Sequence, residues 1–229
     1  PVLGRPLMSY PLLAASASEC VDRIYVSTDS ENIKEVALEH GATLIERPPE
    51  LATKEALGED AYVHGYRHIC DQLGAPPELI VLLFCNAPTI LGQTIDDGVR
   101  VLRGDSSLDS AVTVSAYNMW SPIRARKEGS DGLLQPFVPF EAFGELKAVN
   151  CDRDSQGDVF FADMSVSIVR SRCLEDLDFG ILPQRWMGRR IYPLKQWGGC
   201  DVDYAWQVPS VEYWLREHGF TENKTPYNF

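Results

Sequence analysis

The chain has 229 residues, 45% hydrophobic and 24% charged, with a formal net charge of −12. That length supports one sizeable core, and the acidity argues against sequence-independent binding of nucleic acid, which needs Lys and Arg against phosphates. No apolar run approaches the roughly 20 residues of a membrane span, and Pro1 to Tyr10 lacks the pattern of a signal peptide, so a cytoplasmic protein with no membrane partner is expected.

The first half alternates helical and strand signals. Pro6 to Cys20 is apolar and Ala-rich, a helix, and Arg23 to Ser27 is a β-branched strand. Ser30 to His40 has Ile33, Val36 and Ala37 on one helical face, with Ser30 as a candidate cap and Gly41 as the stop. Thr43 to Glu46 is a short strand and Glu55 to Leu73 a long helix. Leu79 to Phe84 is almost wholly apolar, as for a central strand covered on both faces. A helix at Thr94 to Arg103 and a strand at Ser110 to Ser115 follow. Helices between strands predict parallel crossovers in one α/β sheet, with helices on both faces. In such sheets ligands bind beyond the carboxyl ends of the strands.

The second half is less regular. Tyr117 to Pro139, with turns at Ser121-Pro122 and Gly129 to Gly132, reads as an antiparallel excursion. Val159 to Val169 is a strand pair or one bent strand. Arg189 to Leu194 is a strand, and Ser210 to His218 a C-terminal helix. Pro209 cannot lie deep in a helix, so Tyr204 to Val208 is a separate turn or short first helix. No linker divides residues 1–229 into independent domains.

Cys20, Cys70, Cys85, Cys151, Cys173 and Cys200 have no zinc-knuckle spacing. They are expected to be buried free thiols in a reducing cytosol. His64 and His68 stand i, i+4 on the long helix without a third ligand, which favours a structural role.

Four segments bear on chemistry. Asp201 and Asp203, at i and i+2 on extended backbone, point to the same side of the chain. Two carboxylates on one face suit a hard cation such as Mg²⁺, which keeps phosphate oxygens as further partners. The competing reading is a solvated pair, or a helix N-cap at Asp203. Arg47, set after a strand by Pro48-Pro49, suits an anion clamp, or a surface ion pair with Glu46 or Glu50. Phe84 to Thr89, after the apolar strand, either faces a ligand or ends the strand as a turn. Asp29 closes the first strand at the same edge.

In order, these segments resemble the cytidylyltransferases that activate sialic acids, Kdo and related acids. The resemblance is carried by Gly4 to Tyr10 (GRPLMSY, family near GKPLIAY), Asp22 to Ser30 (DRIYVSTDS), Arg47 to Ala52 (RPPELA, family RPxELA), Leu82 to Pro88 (LLFCNAP, family LLQPTSP), Pro122, Gln156 and Asp201 to Asp203 (DVD, family DID). It implies a three-layer, Rossmann-like nucleotide-diphospho-sugar transferase fold with a mainly parallel sheet. It also implies transfer of CMP from CTP to an acidic sugar, a sialic-acid-like nonulosonate or related acid, with release of pyrophosphate. Asp201 and Asp203 would hold Mg²⁺ and Arg47 an anion. Asp29, Phe84, Asn86 and Gln156 would line the nucleotide or substrate. Residues 117–161 would form a dimerisation excursion and give a homodimer.

The sequence departs from that family in two ways. The family opens with a strand and a basic, glycine-rich phosphate loop, and this chain resembles it only from the segment after that loop, so an incomplete chain is expected. Phe84 stands where sialate enzymes have Gln, and Asn86 where Kdo enzymes have a metal-binding Asp, which opens the acceptor to less common nonulosonates or a phosphonate. A sugar-phosphate nucleotidyltransferase using UTP or GTP, and a non-catalytic remnant or assembly domain of the same fold, are the alternatives.

Overall fold

The computed structural model describes residues 1–144, 150–155 and 157–227. Its elements follow the predicted order: α1 (Ser9–Ala17), β1 (Tyr25–Thr28), α2 (Glu31–Glu39), β2 (Thr43–Glu46), α3 (Gly58–Leu73), β3 (Leu79–Leu82), α4 (Gly92–Gly104) and β4 (Ser110–Ala116). A hairpin of β5 (Arg126–Glu128) and β6 (Leu134–Pro136) precedes β7 (Phe160–Arg170), α5 (Arg172–Glu175), β8 (Ile191–Gln196) and α6 (Val208–Glu217). The chain stops at Gly41 (φ +72°) after α2 and at Gly74 (φ +73°) after α3, left-handed positions that cost glycine nothing. Ser30 stands at the N-terminus of α2, but only its carbonyl serves the first turn and its hydroxyl makes no cap. Pro209 sits in the first turn of α6, behind a short 3₁₀ turn at Ala205–Gln207, as its missing N–H requires.

The main sheet has the order β3-β7-β4-β8. β4 and β8 are parallel, and β7 runs antiparallel between β3 and β4. Three of its four strands therefore share a direction. Alternate residues of the central strands face opposite layers. Ala111, Val166 and Ile168 pack with Ile95, Val99 and Leu102 of α4. Val112 and Val169 pack with Tyr66 of α3, Cys173 and Leu174 of α5, and Trp186 on the other side. Burial of a side chain such as Ile95 or Leu102 contributes about 1.5–3 kcal/mol. Gly98 lets α4 approach the sheet, because a Cβ there would collide with Ile168 and Leu194. The result is helix, sheet, helix.

One expectation is corrected. The four strands of the first half do not share a single sheet. β1 and β2 form their own parallel pair, covered by α1 and α2 through Met8, Leu12, Val26, Ala37 and Ala42. β3 is an edge strand, half-buried along its length, not a central one. A cavity of about 840 Å³, lined along its length by β1 and β3, separates the two sheets. The apolar character of β3 was legible, but its neighbours were not. The cysteine expectation is also corrected: all six are free thiols, but Cys173 alone is buried, and Cys85 and Cys151 are exposed.

Candidate active site

The predicted residues lie beyond the carboxyl ends of their strands. Asp29 follows β1, Arg47 follows β2, Phe84 and Asn86 follow β3, and Asp201 and Asp203 follow β8. Asp29, Arg47, Phe84 and Asn86 line one end of the cavity between the sheets. Arg47 Nη2 donates to the Ser27 carbonyl (2.6 Å) and Nε to Ser27 Oγ (3.4 Å), which fixes the fork against β1. Among the described residues Arg47 has no carboxylate partner within 4 Å, so the ion-pair reading with Glu46 or Glu50 falls away; Glu46 is taken by Lys34 at 2.9 Å. Phe84 packs edge-on against Tyr62, centroids 5.6 Å apart, and Tyr62 packs in the same way on Trp186. Gln156 lies outside the described residues.

The Asp201–Asp203 segment has no regular secondary structure and docks on the loop after β3. The Val202 N–H donates to the Asn86 carbonyl (2.8 Å), and Asn86 Nδ2 donates to Asp203 Oδ1 (3.3 Å). Asn86 thus joins the cavity to the carboxylate pair. Asp203 is exposed and Asp201 half-buried. Burial, then the charge of Asp203, with Asp163 adding less, raises the Asp201 carboxyl above its ordinary value. Among the described residues neither Asp201 nor Asp203 has a Lys, Arg or His within 4 Å. An N-cap role for Asp203 is not seen: Tyr204, not Asp203, precedes the 3₁₀ turn, and Gln207 Oε1 accepts from the N–H groups of Asp203 and Tyr204 at 2.8 and 2.7 Å.

Two carboxylates without a cationic partner, one half-buried and one exposed, have the donor chemistry of Mg²⁺ held by one or two carboxylates and completed by phosphate oxygens. They do not make an all-protein cage. Among the described residues no group of three or more His, Cys, Asp and Glu is arranged to hold a metal. His64 Nδ1 and His68 Nε2 are buried without partners on α3, away from these carboxylates in the chain and outside any such group.

Residues 1–60 match the family model described as cytidylyltransferase. Over those 60 residues, about a quarter of its length, the chain is similar to cytidylyltransferases. An N-acylneuraminate cytidylyltransferase from Escherichia coli O18:K1:H7 (strain RS218 / NMEC) is 40% identical over 122 residues, which cover 53% of this chain and 28% of that protein. A CMP-N,N'-diacetyllegionaminic acid synthase from Legionella pneumophila subsp. pneumophila is 44% identical over 41 residues, 18% of each chain. The chain therefore spans less than a third of the length of the E. coli relative. Among solved structures, a CMP:2-keto-3-deoxy-manno-octonic acid synthetase complexed with CTP superposes with TM-score 0.61 at 13% identity, covering 95% of this chain and 90% of that one. A 4-diphosphocytidyl-2C-methyl-D-erythritol synthase from Anaerococcus prevotii DSM 20548 superposes with TM-score 0.60 at 11% identity, covering 94% and 88%. The chain shares the fold of both.

Sequence reasoning reached Thr89 only as the end of the Phe84 to Thr89 segment and missed the other polar groups beneath the carboxylates: Ser115, Tyr117, Asp163, Ser165 and Gln196. One signal was available. In β7 the buried Asp163 and Ser165 interrupt an apolar run. Buried polar side chains need partners, and here those partners mark where the chain is being held.

Proposed function

We propose that this chain transfers CMP from CTP to an acidic sugar and releases pyrophosphate. The observation that carries the reading is the bridge through Asn86. It ties the carboxylate pair after β8 to the end of the cavity where Arg47 and Asp29 stand. In such a transfer a hydroxyl of the acid attacks the α-phosphorus of CTP while the bond to pyrophosphate breaks, so the protein's work is positioning and charge stabilisation. Mg²⁺, when bound, neutralises charge on the phosphates. Asp201 and Asp203 are the residues that would hold it. Arg47, its fork anchored on Ser27 by Nη2 and Nε, offers Nη1 to a phosphate or to the acid's carboxylate. Asp29 and Asn86 contribute polar contacts at the same edge.

Phe84 bears on the acceptor. Its ring, packed on Tyr62, makes that wall of the cavity apolar. A site without a hydrogen-bonding group there discriminates weakly for a polar sugar substituent, so N-acetylneuraminate is a poor acceptor and a less hydroxylated or deoxy nonulosonate a better one. Substitution Phe84→Gln is expected to raise the rate with N-acetylneuraminate about tenfold relative to other acids.

The test is pyrophosphate release from CTP and Mg²⁺ by the purified protein against a panel of nonulosonic acids and phosphonates, with UTP and GTP as controls. Release that depends on both CTP and an acid is expected. No release with any acid, or equal release with UTP, overturns the reading.

A further inference from the structure

The segment that carries Asp201 and Asp203 has little regular structure, yet most of its backbone N–H groups have a defined acceptor. Tracing these acceptors leads to a residue that touches neither carboxylate. The Gly199 N–H donates to Ser115 Oγ (2.9 Å), and Ser115 Oγ donates in turn to Asp163 Oδ2 (2.7 Å). The Cys200 N–H donates to Thr89 Oγ1 (3.0 Å), which lies 2.9 Å from Ser165 Oγ. Gln196 Nε2 ties the two branches together, reaching Asp163 Oδ2 (2.9 Å), Ser165 Oγ (3.1 Å) and the Thr89 carbonyl (3.2 Å). Tyr117 Oη holds the Gly199 carbonyl at 2.7 Å.

Asp163 is the common acceptor of this network and is only 5% exposed. Its other oxygen takes the Ser165 N–H at 3.2 Å. The backbone of β7 is shaped for this. Pairing with β4 is regular at Val112 with Ser167 and resumes at Val114 with Ala162, and between them Met164 lies at φ +62°. A non-glycine residue in the left-handed region at a bulge re-aims its neighbours. Gly199 packs so closely over the Asp163 carboxylate that a Cβ there would collide with it.

We propose that Asp163 is a positioning residue: it holds Ser115 and Gln196 in place, and through them fixes the Gly199–Asp203 segment so that Asp201 and Asp203 face a common cation. The inference deepens the cytidylyl-transfer reading and rests on it only for the metal readout. A buried carboxylate needs its lone pairs filled, and here one donor, Ser115 Oγ, also accepts from the Gly199 N–H, while another, Gln196 Nε2, also reaches Ser165 and the Thr89 carbonyl beside the segment.

The test uses Asp163→Ala and Ser115→Ala, with two measurements on each. The first is hydrogen exchange at the Gly199 and Cys200 amides, relative to amides of β4 and β8. The second is binding of Mn²⁺ with CTP, followed by the paramagnetic resonance signal of Mn²⁺. Asp163→Ala is expected to speed exchange at both amides and to weaken Mn²⁺ binding about tenfold, the order seen when groups that orient metal ligands are removed. Ser115→Ala leaves the carboxylate in place and cuts only the relay, so it should speed exchange at Gly199 even if the first variant folds poorly. Wild-type exchange at Gly199 in Ser115→Ala, or unchanged Mn²⁺ binding in a folded Asp163→Ala, overturns the proposal. Wild-type protein that takes up no Mn²⁺ with CTP overturns the cytidylyl reading instead, and exchange alone then decides the positioning.

Discussion

The two ends of β4 treat negative charge in opposite ways. At its start, Asp109 is 2% exposed and fully compensated. Arg172 Nε donates to its Oδ1 at 2.9 Å, and the N–H groups of Arg189 and Arg190 donate to Oδ2 at 2.9 and 2.8 Å. Burial alone would raise its carboxyl, but these two N–H groups and the guanidinium outweigh burial and hold it below the ordinary range. At the far end, Ser115 and Tyr117 lead to Asp163, Asp201 and Asp203, and among the described residues no cation pairs with any of the three. At Asp109 the fold neutralises the charge it buries. Asp163 has its oxygens filled by hydrogen bonds, and Asp201 and Asp203 are left without a cationic partner, as the proposed cation site requires.

The largest effect that would break this contrast is on catalysis. Asp203→Asn should lower the rate of pyrophosphate release by on the order of 100-fold or more, as when a group that stabilises charge in the transition state is lost. Its melting temperature should hold or rise, because an exposed side chain is exchanged and repulsion with Asp201 is relieved. Activity near wild type, or activity lost only because the protein unfolds, would return Asp203 to the status of a solvated turn residue.

The opposite end should respond the other way. Asp109→Ala strands the Arg189 and Arg190 N–H groups and the Arg172 guanidinium, and should destabilise the fold by about 3 kcal/mol in urea melts. A midpoint unchanged from wild type would refute the assignment. The pH dependence follows from the direction of the shift. The folded value of Asp109 lies below its ordinary one. Its contribution is therefore complete above about pH 3.9 and lost as pH falls through the lower folded value. The stability gap between wild type and Asp109→Ala should narrow in that acid window and stay constant from pH 5 to 7.

The smallest expected effect concerns the excursion that leaves β4 at the uncompensated end. Leu134 is 75% exposed and Phe137 60%, with Leu133, Trp120 and Met119 also bare. Apolar residues gathered on one hairpin and its flanks suit a partner surface. We propose a homodimer through residues 117–161, and Leu134→Asp should shift light scattering from dimer towards monomer at micromolar concentration while leaving the melting of the main sheet nearly unchanged. A wild-type monomer under those conditions would remove the proposal.

Local periodicity and turn chemistry determined much in advance. β2 matches its predicted range at Thr43–Glu46, and α1, α2, α4, β1 and β4 fall within three residues of theirs at each end. Their signals are short-range: Gly41 stops α2 by its own conformational freedom. The i, i+2 spacing of Asp201 and Asp203 is readable from the chain alone, but their place beyond β8, beside Asn86, is not. Tertiary structure decided what no window of sequence contains. It split the predicted sheet into β1-β2 and β3-β7-β4-β8, since an apolar strand records that it is covered but not by what. It also gathered Thr89, Ser115, Asp163 and Gln196 beneath Gly199, residues up to 107 positions apart whose pairing follows only once β7 lies between β3 and β4. A buried hydroxyl or carboxylate states that it needs a partner; the strand order chooses which one it meets.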